Sequence, residues 1–193
     1  IAPYLEKFTL NDEETKLYSR MIHASGDVGY ADIIKIGEGA ITKMKTALKN
    51  GCNIYTDVEM VRTGINKKKL ASMGGTVFCK IADEQVAATA KKEGITRSMA
   101  AMREFGTELN GAIVAIGNAP TALFEVIRLM QENHIRPAAV VGTPVGFVGA
   151  AESKKVLAEC SPVPYVTVAG TKGGSPIAAS CVNAVMYMID NSR

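Results

Sequence analysis

A chain of 193 residues, 47% of them hydrophobic, is long enough to bury one sizeable core and too apolar to be disordered. A formal net charge of +3 excludes a strongly basic nucleic-acid binder, and the single basic run, Lys67-Lys68-Lys69, has no interleaved aromatics and reads as a solvated helix face. The longest uncharged stretches, 109–124 and 173–189, are broken by Gly, Pro, Asn or Ser, so neither offers the ~20 mainly apolar residues of a membrane span. No charged leader followed by an apolar segment opens the chain, so a cytoplasmic location is expected.

Taken in chain order, a first helix is expected over 12–24, capped by Asp12 with Glu13 and Glu14 in its first turn. Helical patterns follow at 38–49, 83–93, 96–109, 120–133, 148–159 and 176–190. Short apolar runs rich in β-branched residues alternate with them at 52–57, 77–82, 112–117, 138–142 and 163–168. This alternation predicts one α/β domain over 1–193, with three α/β/α layers and a mainly parallel five- or six-stranded sheet. The run Ala112-Ile113-Val114-Ala115-Ile116 has no polar alternation, as a strand covered on both faces requires. Pro120 suits a first helical position, where its missing N–H costs nothing.

Ligands of open parallel sheets bind at the carboxyl ends of the strands. The loops of interest are therefore Asp57 to Gly64, Gly117 to Thr121, Gly142 to Gly149 and Gly170 to Ser175. The last three are glycine-rich and lead into helices, so their free N–H groups are expected to receive an anion. No phosphate fingerprint accompanies them. GxxxxGK[ST] is absent, and Gly37-Glu38-Gly39 is a lone GxG without a clear strand before it. No GxSxG elbow or SxxK pair supports a serine nucleophile. Cys52, Cys79, Cys160 and Cys181 match no zinc spacing and read as buried free thiols, so no metal site is expected.

Of the two histidines, His134 follows a helix and suits a solvated or capping role. His23 ends the first helix ahead of Gly26 and is either paired with the last carbonyls or catalytic. Arg97, with Thr96 and Ser98 beside it at a helix start, can clamp a carboxylate. Asp57 and Glu59 can pair with a cation or accept protons from a substrate's ring or amide groups.

These segments carry a resemblance. Met21-Ile22-His23-Ala24-Ser25-Gly26, Asp57-Val58-Glu59-Met60-Val61 with Gly64-Ile65, and Thr96-Arg97-Ser98 come first. Ile116 through Phe124 (IGNAPTALF), Arg136-Pro137-Ala138, Gly142 through Lys154 (GTPVGFVGAAESK) and Lys172-Gly173-Gly174-Ser175 continue the series. Together they resemble the precorrin-8X methylmutase family (cobalt-precorrin-8 methylmutase in the anaerobic route) of cobalamin biosynthesis.

The resemblance implies an isomerase, without external cofactor, that moves a methyl group from C-11 to C-12 of a tetrapyrrole, giving hydrogenobyrinate or cobyrinate. It casts His23 as the catalytic proton donor, which suits an imidazole that titrates near neutral pH. The implied substrate-binding residues are Thr96, Arg97, Ser98, Asp57, Met60, Asn66, Gly117, Asn118, Ala119, Thr121, Pro144, Gly146, Phe147, Lys172, Gly174 and Ser175. Met60, Phe147 and Val148 would cover the ring faces, and Arg97 and Lys172 would meet its carboxylates. The resemblance also implies a homodimer, and further substrate contacts from a segment ahead of the first helix that this sequence does not include. Two rivals stay open: a non-catalytic corrinoid carrier, and an α/β transferase acting on a nucleotide or S-adenosylmethionine.

Overall fold

The computed structural model describes residues 1–189. Six strands make one sheet in the order β1-β6-β5-β4-β2-β3. They are β1 (Ile34–Ile36), β2 (Ile54–Thr56), β3 (Val77–Cys79), β4 (Ile113–Ile116), β5 (Ala139–Gly142) and β6 (Tyr165–Val168). β2 through β6 run parallel, and only edge strand β1 is antiparallel, pairing Ile34 with Val168 and Ile36 with Val166.

The helices are α1 (Ala2–Leu5), α2 (Asp12–Ser25), α3 (Ala40–Lys49), α4 (Glu59–Gly64), α5 (Lys67–Ser72), α6 (Glu84–Glu93), α7 (Arg97–Phe105), α8 (Pro120–Glu132), α9 (Ala150–Cys160) and α10 (Ser175–Met188). The expected three layers are present, and alternate residues of the central strands explain them. Ile113, Ala115 and Val141 face a core built with Met21 and Ile22 of α2, Met44 of α3 and Val182 of α10. Val114, Ile116 and Val140 face the opposite core with Met102 of α7, Leu123 and Val126 of α8 and Leu157 of α9. All four residues of β4 are buried, as a strand covered on both faces must be.

Several expectations shift in detail. The first helix is capped by Asn11, not Asp12, because Asn11 accepts from the Glu14 N–H while Glu14 reaches back to the Asn11 N–H. That reciprocal box needs a glutamate three positions on, which Asp12 lacks. The segment expected as one helix over 96–109 ends as α-helix at Phe105 and tightens into a 3₁₀ turn over Gly106–Leu109. The last helix stops at Met188, and position 190 of the expected range lies outside the described residues. A strand, β1, does precede Gly37-Glu38-Gly39, but the Gly37 N–H bonds to Tyr165 at the start of β6, so this GxG lies at the amino end of the parallel strands, away from their ligand-binding end. Of the four unpaired cysteines only Cys181 is buried; Cys52 and Cys79 are partly so, and Cys160 is exposed at the end of α9.

One buried carboxylate ties α7 to α8. Glu125 accepts from Arg103 Nε at 2.7 Å and Arg128 Nη2 at 2.6 Å. Burial by itself would raise the Glu125 pKa, but the bonds from Arg128 and Arg103 outweigh it and hold the carboxyl below the ordinary glutamate value of 4.5. A lowered folded pKa adds stability that is complete above about pH 4.5 and is lost as pH falls through the lowered value. Urea unfolding from pH 6 down to pH 3 is expected to show this loss, and Glu125→Gln is expected to flatten that part of the curve.

Candidate active site

The sheet's topology marks one place for a ligand. From β2 the chain moves outward to β3, then returns across β2 to β4 and continues to β5 and β6. The order reverses between β2 and β4, where a crevice is expected at the strand ends. A buried carboxylate sits at this point. Asp57, which follows β2 and is 0% exposed, receives the N–H groups of Gly117 and Asn118 at 2.9 Å and of Ala119 at 2.7 Å. Burial pushes the Asp57 pKa up, and the three donors pull against it.

Two expectations meet a different arrangement here. Asp57 is buried, and its carboxylate serves as the anion at the start of α8. The amides of Gly117, Asn118 and Ala119 are therefore already occupied. Gly117 is held by packing, since a Cβ there would lie 2.6 Å from Val61 and 2.7 Å from the Ser175 backbone.

The other two glycine-rich loops are tied to each other. Gly146 N–H donates to the Thr171 carbonyl at 3.0 Å, and Gly174 N–H to the Thr143 carbonyl at 2.8 Å. Pro144, Gly174 and Ser175 are buried and shape the loops. The Lys172 ammonium sits 2.5 Å from Asp27 and 5.7 Å from the Tyr30 ring centroid, and Tyr30 Oη donates to the Gly173 carbonyl. The Asp27 carboxylate raises the Lys172 pKa, and Lys172 in turn lowers that of Asp27. Lys172 is thus exposed but partnered.

Thr96 caps α7 by accepting the Met99 N–H, and its hydroxyl lies 2.9 Å from that of Thr121. Arg97 is exposed in the first turn of α7, whereas Ser98 is buried. Glu59 finds its cation within α4, at Arg62. Met60 is 65% exposed, Phe147 94% and Val148 89%, an unusual degree of exposure for apolar side chains.

His23 occupies a different place. It is exposed near the end of α2, where Gly26 takes the left-handed conformation (φ 66°) and bonds back to the Ile22 and His23 carbonyls. Its side chain lines an open groove of about 570 Å³ between α2 and α10, with Ile1, Thr15, Lys16, Ser19, Arg20, Ala184, Tyr187 and Met188. None of the strand-end loop residues lines it.

Sequence reading missed Lys16, Arg20 and Tyr187. The signal for the first two was present: they precede His23 by seven and three residues, the spacing of one helical face. Arg20 stacks over the Tyr187 ring at 4.9 Å, and Asn66 Nδ2 donates to Tyr187 Oη at 3.1 Å. Asn66, capping α5, is the one expected substrate residue that the structure links to this groove. His134, by contrast, is exposed beyond α8 with φ 55° and stands in no such setting.

The chain resembles characterised proteins along most of its length. The family model for precorrin-8X methylmutase matches residues 1–188. The cobalt-precorrin-8 methylmutase of Salmonella typhimurium is 44% identical over 172 residues, covering 89% of this chain and 80% of that protein. The precorrin-8X methylmutase of Pseudomonas aeruginosa is 43% identical over 171 residues, covering 88% and 82%. The crystal structure of precorrin-8X methylmutase from Thermus thermophilus superposes with a TM-score of 0.88 at 32% identity, over 97% of this chain and 92% of that one. A histidine-lined groove, cationic on one wall, on a fold shared so closely with these enzymes leads to one conclusion: the chain belongs to the precorrin-8X methylmutase family.

Proposed function

We propose that this chain is an isomerase of cobalamin biosynthesis that moves the methyl group from C-11 to C-12 of precorrin-8X or cobalt-precorrin-8, giving hydrogenobyrinate or cobyrinate. The observation that carries the reading is the exposed His23 in an open groove beside Lys16 and Arg20, on a chain that matches the family over residues 1–188.

In this reading the reaction is a 1,5-sigmatropic shift, and the protein supplies orientation and a proton. His23 donates a proton to the ring as the methyl migrates. Because substrate and product are isomers, a proton returns to the imidazole and the net balance is zero. The ring's acetate and propionate groups meet Lys16 and Arg20 along the groove, with Arg97 and Lys172 at the strand-end rim. Met60, Phe147 and Val148 do not line the groove, and in this reading their exposed side chains supply apolar cover where the ring projects beyond it. The occupied strand-end amides support this division of labour, since charged side chains then remain to recognise a polyanion.

The groove is open along its length, so a flat macrocycle in it would keep one face in water. A second copy closing over that face is the arrangement we infer, and sedimentation equilibrium is expected to give twice the chain mass. The reading also places the protein in the cytoplasm. Its four unpaired thiols suit a reducing compartment, and among the described residues no helix is long and apolar enough to cross a membrane.

The direct test is to mix the protein with the tetrapyrrole substrate and follow the visible absorption spectrum. Conversion to the spectrum of the corrin product supports the isomerase. Binding with an unchanging spectrum would instead describe a corrinoid carrier.

A further inference from the structure

Lys154 is a buried cation that the reaction above does not use. It lies on α9 and is 1% exposed. Among the described residues it has no carboxylate partner. Its Nζ donates to one protein oxygen, the Lys172 carbonyl, at 2.5 Å. The charged groups around its cleft are Lys35 of β1 and Lys155 and Glu159 of its own helix, while Lys172, Asp27 and Tyr30 contact one another and do not line that cleft.

An isolated ammonium is costly to bury, so a lysine kept here needs a reason other than packing. The tethered carbonyl supplies one. Asp27 fixes the Lys172 side chain, Tyr30 the next carbonyl and Thr143 the Gly174 N–H, and Lys154 fixes the peptide oxygen of Lys172 itself.

We propose that Lys154 is a positioning residue that sets the pose of the Gly170–Gly174 loop, and through it the presentation of Lys172 to the substrate's carboxylates. The inference rests on the reading that Lys172 meets the substrate. Its charge has a second consequence. Burial pushes the Lys154 pKa down to about 8. The neighbouring Lys172 and Tyr30 are both held above their ordinary values, so neither titrates there. A polyanion bound over the loop favours the protonated amine, so binding is strongest below about pH 8 and weakens as pH rises through that value.

The test is steady-state kinetics with the tetrapyrrole substrate on wild type, Lys154→Met, Lys172→Ala and the double variant. Lys172→Ala is expected to raise KM about fivefold, the scale of an exposed ion contact. Lys154→Met is expected to raise KM about threefold with kcat within about twofold, since the tether acts on binding. The double variant is expected to match Lys172→Ala alone, and the wild-type KM is expected to climb above about pH 8 while that of Lys154→Met stays flat.

An unchanged KM in Lys172→Ala would overturn the Lys172 reading and this inference with it. A fivefold effect there, combined with multiplying effects in the double variant, would overturn the inference alone. The wild-type pH profile needs no variant to fold, and a flat KM from pH 7 to 9 would also overturn it.

Discussion

Replacing His23 with alanine is expected to lower turnover by about 10²–10⁴-fold, the usual contribution of one positioned acid–base group. Binding of the pigment is expected to persist, because Lys16, Arg20 and Tyr187 still line the groove. Stability is expected to change by no more than about 0.5 kcal/mol, since the imidazole is exposed and the helix end is closed by Gly26 through the backbone. Single-turnover absorbance separates chemistry from binding. Normal turnover with normal binding would remove His23 from the mechanism. Lost binding with lost turnover would make it a recognition residue.

The second large effect is structural. Asp57→Asn is expected to destabilise the fold by about 3–5 kcal/mol, measured by urea unfolding at neutral pH. The carboxylate's two oxygens receive three N–H groups, those of Gly117 and Ala119 buried and that of Asn118 partly so. An amide offers one oxygen and turns an NH₂ toward the remaining donors, so at least one buried donor loses its acceptor and faces another donor. No neighbouring carboxylate substitutes. The effect falls at the point where the strand order reverses, and so on the contact between the β2 and β4 ends. A loss below 1 kcal/mol would contradict an internal-anion role for Asp57.

These two residues also show how far the sequence could be read. Alternation of apolar runs and helical patterns found five strands and the three layers, because buried parallel strands and amphipathic helices leave strong periodic signals. β1 was not found. It has three residues, follows a 3₁₀ turn over Val28–Asp32, and owes its place to pairing with β6, whose partners lie 130 to 134 residues away. α4 and α5 have six residues each, too few for periodicity to register, although the run Lys67-Lys68-Lys69 does lie on the solvated face of a helix, as its charge suggested.

At the site, the motif around His23 was legible and its setting was not. The glycine-rich turn after β4 does offer N–H donors, but nothing local says that the anion it receives is Asp57, 60 residues earlier, or that the other two glycine-rich loops donate to each other's carbonyls. Likewise Arg20 was visible on the His23 face of α2, whereas Tyr187, which it stacks on, arrives from the far end of the chain. Long-range pairing decides which anion-ready loop is already filled. That is why the proposed function rests on charged side chains and not on backbone amides.

The most direct measurement follows the methyl group itself. Substrate carrying ¹³C in the C-11 methyl, mixed with an equal amount of unlabelled substrate and turned over by the wild-type protein, can be read by carbon NMR and mass spectrometry. The account predicts that the label appears at C-12, with each product molecule keeping its own methyl and no exchange between labelled and unlabelled pools. A label that remains at C-11 on bound pigment, or one that scrambles between molecules, would contradict it.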